Sequence, residues 1–128
     1  MKRRIVPDES VCIGCRLCEV YCTAAHSGSG NLVKVFNKRD AKALPRLRVA
    51  EKGPSSFALQ CRNCEDPACV SACITGAMHK NEKGEVVHEA DRCVGCWSCI
   101  MVCPYGAISR DERGKRIASK CDLCADRE

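Results

Sequence analysis

The 128-residue chain is long enough for one small domain or two very small ones, and its 14 cysteines make roughly one residue in nine a thiol. Only Tyr21, Phe36, Phe57, Trp97 and Tyr105 are aromatic, so apolar packing alone is too thin to hold a fold, and a covalent or metal staple is implied. The formal charge of +5 is dispersed and carries no aromatic platform with it, which argues against nucleic acid as a partner.

Met1 to Asp8 is basic, but Pro7 and charged residues interrupt it before an apolar stretch develops. No segment has the h-region of a signal peptide or the length of a membrane span. The expectation is a reduced, cytoplasmic chain without direct membrane insertion, in which a disulfide framework is disfavoured. Cys12, Cys15, Cys18 and Cys22 follow as a first group, and the i, i+4 placement of Cys18 and Cys22 predicts a short helix. Residues 27–56 differ in character: Gly28, Ser29 and Gly30 open them, Lys34 to Arg48 is basic, and Gly53-Pro54-Ser55-Ser56 closes them. They read as an insertion with one or two strands, such as Leu32 to Phe36. Its basic residues form a solvated face, with partner docking as the alternative.

The second group is Cys61, Cys64, Cys69 and Cys73; the third is Cys93, Cys96, Cys99 and Cys103; the last is Cys121 and Cys124. The segments after the second and third groups are similar to each other. Gly76-Ala77-Met78, Asn81 to Gly84 and Glu85-Val86-Val87 lead to Cys93, while Gly106-Ala107-Ile108, Asp111 to Gly114 and Lys115-Arg116-Ile117 lead to Cys121. Each reads as a strand, a Gly-containing turn and a second strand, which predicts a hairpin delivering the chain to the next CxxC. Cys99 and Cys103 again stand at i, i+4, and Pro104 ends that helix.

Cys12-x2-Cys15-x2-Cys18-x3-Cys22 and Cys93-x2-Cys96-x2-Cys99-x3-Cys103-Pro104 match the bacterial ferredoxin run for [4Fe–4S] clusters. Three cysteines two residues apart wrap a loop around one cluster, and the fourth, a helical turn away, faces the neighbouring cluster. The second group, Cys61-x2-Cys64-x4-Cys69-x3-Cys73, lengthens the loop by two residues and keeps the last step. Zinc favours two CxxC pairs across a longer loop, so a zinc-stabilised interaction module is the weaker alternative. His26, His79 and His88 each stand alone in polar surroundings and read as surface histidines rather than ligands. Trp97, inside the third loop, serves either to exclude water from a cluster or simply to pack over it. No phosphate loop, nucleophile triad or acid–base dyad is present, so the chain is expected not to be an enzyme.

Cys61-Arg62-Asn63-Cys64-Glu65-Asp66-Pro67-Ala68-Cys69, Arg92-Cys93-Val94-Gly95-Cys96 and Lys120-Cys121-Asp122-Leu123-Cys124 resemble the multi-cluster ferredoxin-like subunits of bacterial and archaeal oxidoreductases. Within that family the chain looks most similar to the iron–sulfur protein associated with carbon monoxide dehydrogenase. The resemblance implies an α+β fold of tandem bacterial-ferredoxin-like dicluster repeats with short hairpins, short helices and long cluster loops, forming one polyferredoxin-like domain over residues 1–128. It implies an inner dicluster unit over 57–116, in which Cys61, Cys64, Cys69 and Cys103 hold one cluster, and Cys73, Cys93, Cys96 and Cys99 another. It also implies an outer unit from 1–26 and 117–128, using Cys12, Cys15, Cys18, Cys22, Cys121 and Cys124. Four clusters make the family pattern, and at least two are fully ligated by this chain. Two outer ligands of the pattern would lie beyond Glu128, for which the preferred reading is a truncated or partial sequence. Completion by another ligand, or an outer pair that is lost or three-iron, are the alternatives. The implied function is single-electron relay between a catalytic metalloenzyme subunit, carbon monoxide dehydrogenase first, and a second redox protein. An aldehyde or formate oxidoreductase, or a hydrogenase, is the nearest competitor.

Overall fold

In a computed structural model, residues 3–28, 31–37 and 44–125 are described, and the chain divides into two compact units. Pro7–Leu59 forms one; Met1–Val6 with Gln60–Glu128 forms the other. Met1, Lys2, Ser29, Gly30, residues 38–43 of the basic stretch and residues 126–128 lie outside the described residues.

The unit over Pro7–Leu59 contains helix α1 (Leu17–His26), helix α2 (Leu32–Asn37) and an antiparallel hairpin of β1 (Arg48–Lys52) and β2 (Ser55–Leu59). The hairpin runs in register from Arg48 opposite Leu59 to Lys52 opposite Ser55, and Gly53-Pro54 forms its turn instead of closing a linker. Glu19 ties α1 to the hairpin: its Oε1 accepts a 2.6 Å bond from the Val49 amide. Ala24, Val35 and Val49 are the buried apolar residues here. The strand expected over Leu32 to Phe36 is a helix. Asn31 decides this, because its side-chain oxygen accepts from the Lys34 amide at 3.2 Å and its carbonyl from Val35 at 3.0 Å, which is helix-start geometry.

The other unit has helix α3 (Ala68–Ser71), the hairpin β3 (Met78–Lys80) with β4 (Val86–His88), and a 3₁₀ turn at Ala90–Arg92. Helix α4 (Ser98–Val102) and the hairpin β5 (Ser109–Asp111) with β6 (Ile117–Ser119) complete it. Both hairpins are antiparallel and stand where the Gly-containing turns place them. In the first, the Asn81 side chain accepts from the Glu85 amide at 2.8 Å and donates to the Glu85 carboxylate at 2.9 Å, so the turn is locked by its own side chains. Helix α4 ends at Val102, two residues before Pro104.

The similar tripeptides after the second and third cysteine groups are the floor of this unit: Ala77, Met78, Ala107 and Ile108 are all buried. Met78, Val86, Cys99, Ile108 and Ala118 form the core, with Cys69, Val70, Cys73, Ile100 and Cys103 packed against it. Four of those ten residues are cysteines, so the apolar core and the thiol constellation are one structure. Burying Met78 and Val86 stabilises the fold by about 1.5–3 kcal/mol each.

Candidate metal centre

Cys61, Cys64, Cys69 and Cys103 line one cavity together with Arg62, Pro67, Ala68, Val86, Pro104, Tyr105, Ala107 and Ile108. Two widely separated stretches of sequence supply these thiols. The loop before α3 contributes Cys61 and Cys64, α3 itself carries Cys69, and Cys103 caps the end of α4. Arg62 and Tyr105 meet at the same cavity, with the guanidinium 4.7 Å from the ring centroid. Apart from Arg62, the lining is sulfur, aliphatic carbon and one phenol ring, a setting that suits soft, sulfur-bound metal.

A second set gathers beside it. Cys99 is buried and is acted on by Cys93, Cys69 and Cys96, while Cys73 acts on Cys96 across the loop. Cys73 therefore lies within electrostatic reach of Cys96 and packs against the core that contains Cys99, while Cys61 and Cys103 both lie within reach of Cys69. All fourteen cysteines are free thiols.

The CxxC loops share a backbone device. The residue before the second cysteine has positive φ in all four: Gly14 (70°), Asn63 (50°), Gly95 (69°) and Leu123 (56°). Arg16 and Trp97, which follow the second cysteine in the first and third groups, are also left-handed and begin α1 and α4. Alternating handedness turns successive amides to one side and makes an anion-binding concavity. The amides do point at sulfur: Asn63 donates to Cys61 Sγ and Leu123 to Cys121 Sγ, both at 3.4 Å. Gly95 has a further reason to lack a side chain, since a Cβ there would stand 2.6 Å from the Arg116 carbonyl oxygen. Asn63 takes the same place with a side chain that is used. Its Oδ1 accepts from the Val86 amide at 2.6 Å, and its Nδ2 donates to the Arg3 carbonyl at 3.5 Å, so the loop is pinned to β4.

Surroundings sort the thiols into two kinds. Burial pushes Cys99 up to about 11, and it raises Cys69 and Cys121 as well, against the opposing pull of the Lys120 ammonium on both. Cys12 is lowered by the Ser56 hydroxyl, 3.4 Å from its Sγ, and by the Gly14 amide. Cys96 is lowered by the hydroxyl and amide of Ser98. At Cys73 burial opposes ionisation, but the amide of Met78 at 3.4 Å and the Thr75 hydroxyl outweigh it and the thiol is lowered. Each lowering partner donates a hydrogen bond to sulfur, the arrangement that stabilises a thiolate bound to metal. Lys120 itself is buried at 2% exposure, and its ammonium donates to the carbonyls of Val86 and Cys121. An all-sulfur donor set, amides aimed at the sulfurs and a buried cation together fit an anionic thiolate-bound cluster.

Cys12, Cys15, Cys18 and Cys22 lie in the Pro7–Leu59 unit, and Cys121 and Cys124 lie in the other. Within the first of these, α1 presents Cys18 and Cys22 one turn apart, and the Arg46 amide donates to Cys22 Sγ at 3.2 Å. The histidines are not the surface residues expected, for all three are half-buried. His26 donates from Nδ1 to the Cys22 carbonyl at 2.8 Å, one helical turn back, and His79 Nε2 lies 3.5 Å from Glu89. Trp97 is half-buried at the start of α4 with Arg110 5.0 Å from its ring centroid. The roles of Asn63, Ser56, Ser98, Thr75 and Lys120 are additions to the sequence reading. Only Asn63 and Lys120 carried a signal, the first by standing where two other loops have glycine, the second by directly preceding a CxxC.

Residues 55–128 match the 4Fe-4S dicluster domain family. The full chain is 37% identical to electron transport protein HydN of Escherichia coli (strain K12), covering 79% of that protein. The chain belongs to the 4Fe-4S dicluster family of iron–sulfur electron-transport proteins. Its other relatives in the family include an iron–sulfur protein of Rhodospirillum rubrum, 38% identical over 94% of this chain and 66% of that protein. The B subunit of anaerobic dimethyl sulfoxide reductase of Escherichia coli (strain K12) is 36% identical over 94% of this chain and 60% of its own length. Membership decides between the metals weighed for these cysteines in favour of [4Fe–4S] over zinc, and it makes the chain an electron-transfer component rather than a catalyst. Among the described residues no helix is long and apolar enough to cross a membrane.

Proposed function

We propose that Cys61, Cys64, Cys69 and Cys103 hold one [4Fe–4S] cluster and that Cys73, Cys93, Cys96 and Cys99 hold a second, making residues 57–116 a dicluster relay. The single observation that carries this is the cavity lined by all four thiols of the first set, which two distant stretches of the chain must come together to make. When bound, such clusters supply one-electron storage at low potential. The chain's own residues do the rest. The left-handed loop residues aim amides at the sulfurs, the core aliphatics keep water from the inner face, and the Arg62–Tyr105 pair lies at the cavity. Cys12, Cys15, Cys18 and Cys22, with Cys121 and Cys124, are proposed as ligands of further clusters. The support is the same CxxC spacing and the same left-handed residue in each loop.

The relay runs between a catalytic oxidoreductase subunit and a second redox protein. The relationship to the dimethyl sulfoxide reductase B subunit supports the subunit reading. Carbon monoxide dehydrogenase is the catalytic partner we propose on the resemblance of the cysteine motifs. An aldehyde or formate oxidoreductase, or a hydrogenase, is the rival to be tested beside it. Iron and acid-labile sulfide after anaerobic purification, with EPR of the reduced protein, test the ligand sets. Cys61→Ser and Cys99→Ser should each remove or convert one cluster's signal and leave the other. Full iron and unchanged spectra in both variants would sink the assignment. The partner is tested by mixing the reduced protein with each purified catalytic subunit in turn and following oxidation in a stopped-flow spectrometer.

A further inference from the structure

Lys120 follows β6, and only 2% of it reaches solvent, which makes it the largest of the fully buried side chains among the described residues. Its ammonium donates to two backbone carbonyls, those of Val86 and Cys121. Among the described residues no carboxylate pairs with it. Burying an ammonium against neutral carbonyls alone costs several kcal/mol, so a buried lysine calls for a negative partner. The groups within its electrostatic reach are thiols that turn negative when they bind metal: Cys69, a member of the cavity set, and Cys121, which is in turn within reach of Cys61. Val86, whose carbonyl holds the ammonium, lines the same cavity.

We infer that Lys120 is a potential-setting residue, a fixed positive charge sealed beside the cluster site of Cys61, Cys64, Cys69 and Cys103 that favours its reduced form. This rests on the ligand set proposed above. Reduction adds one negative charge to the site, and a nearby cation in a low-dielectric interior stabilises the more negative state. The backbone bonds to Val86 and Cys121 keep the charge at one distance, so its effect is constant rather than averaged over rotamers.

The test is an anaerobic redox titration, followed by EPR, of the full-length protein and its Lys120→Gln, Lys120→Met and Lys120→Arg variants. Gln keeps a hydrogen-bond donor without charge, Met keeps neither, and Arg keeps charge. Both neutral variants should lower one midpoint by about 59 mV, a tenfold change in the reduction equilibrium for a one-electron couple, and Arg should stay near wild type. Wild-type potentials in Lys120→Gln would overturn the inference, because hydrogen bonding alone would then suffice. If the neutral variants lose one cluster's iron and Lys120→Arg keeps it, the charge is required and the inference stands. If Lys120→Arg loses it too, the residue is structural and the inference falls. Failure of the ligand set itself would show separately, as a Cys61→Ser variant that keeps the wild-type iron content and EPR signals.

Discussion

Gly95→Ala is the sharpest test of the third cluster loop. Any L residue with φ near +69° loses about 1–2 kcal/mol relative to glycine. At Gly95 a second cost is added, because the new Cβ would stand 2.6 Å from the Arg116 carbonyl oxygen and 3.4 Å from its carbonyl carbon. An unstrained carbon–oxygen contact is roughly 3.3–3.6 Å, so one backbone segment must retreat by about 0.8 Å. Forced overpacking of this kind costs about 1–3 kcal/mol. Gly106 provides the control. Its φ is +60° and its Cβ would meet nothing within 4 Å, so Gly106→Ala carries the backbone strain alone. Proteins with tightly bound cofactors rarely unfold in two reversible states, so the rate of cluster loss is the safer readout. Absorbance near 400 nm would be followed anaerobically after dilution into denaturant with an iron chelator. Gly95→Ala should bleach roughly five- to 150-fold faster than Gly106→Ala, the rate equivalent of 1–3 kcal/mol. Rates within twofold of each other would refute the close approach of the loop to the β5–β6 turn.

Asn63→Gly should keep the left-handed backbone but leave the Val86 amide without its acceptor, destabilising the holo-protein by about 1–3 kcal/mol. Asn63→Ala should cost about 1 kcal/mol more through its φ of 50°, and equal bleaching rates for the two would count against this division. Cluster assembly should improve as pH rises. Burial holds Cys99 near 11 and raises Cys69 and Cys121, so the metal-free fold gains stability from these protonated thiols below their ordinary value near 9 and loses it as pH climbs through their raised values. Assembly must expel those protons, so reconstituted iron at pH 8.5 should exceed that at pH 6.5, and a flat profile would contradict the burial argument. Stripping iron with a chelator under reducing conditions should collapse the far-UV circular dichroism, because Cys69, Cys73, Cys99 and Cys103, all proposed ligands, are part of the core around Met78 and Val86.

The hairpins were legible because each has a polar four-residue segment ending in Gly, Asn81 to Gly84 and Asp111 to Gly114, between two short runs, and both were found where those turns stand. Leu32 to Phe36 was misread for a local reason. Leu-Val-Lys-Val-Phe has the β-branched composition of a strand, but Asn31 caps a helix, and one cap outweighs composition in a segment this short. The CxxC loops declared their metal through spacing, whereas the proposed partnership of Cys103 with Cys61, Cys64 and Cys69 came from family resemblance. Spacing fixes which cysteines share a loop and says nothing about which distant cysteine completes it. The histidines were missed because burial of a ring depends on its tertiary neighbours, although the i, i+4 relation of His26 to Cys22 was available as a hint.

Lys120 shows why single residues in such a chain are hard to weigh from sequence. A lysine before a CxxC reads as one more member of a dispersed basic surface, and the formal charge of +5 invites that reading. In the fold it is the least surface-like cation among the described residues, placed where the chain concentrates sulfur. The net charge of the polypeptide is therefore a poor guide to its electrostatics. Each four-thiolate cluster brings about −2 when oxidised, so the two proposed inner clusters would alone offset most of the excess. The basic residues then divide into those that balance clusters from inside, as Lys120 does, and those free to face a partner, such as Arg62 at the cavity. Neutralising Arg62 should separate the two roles. Arg62→Gln should slow electron exchange with a catalytic partner at low ionic strength and lose most of that effect at high salt, while the midpoints move less than in Lys120→Gln, because an exposed charge is screened and a sealed one is not. Equal midpoint shifts in the two variants would show that burial does not set the strength of these charges.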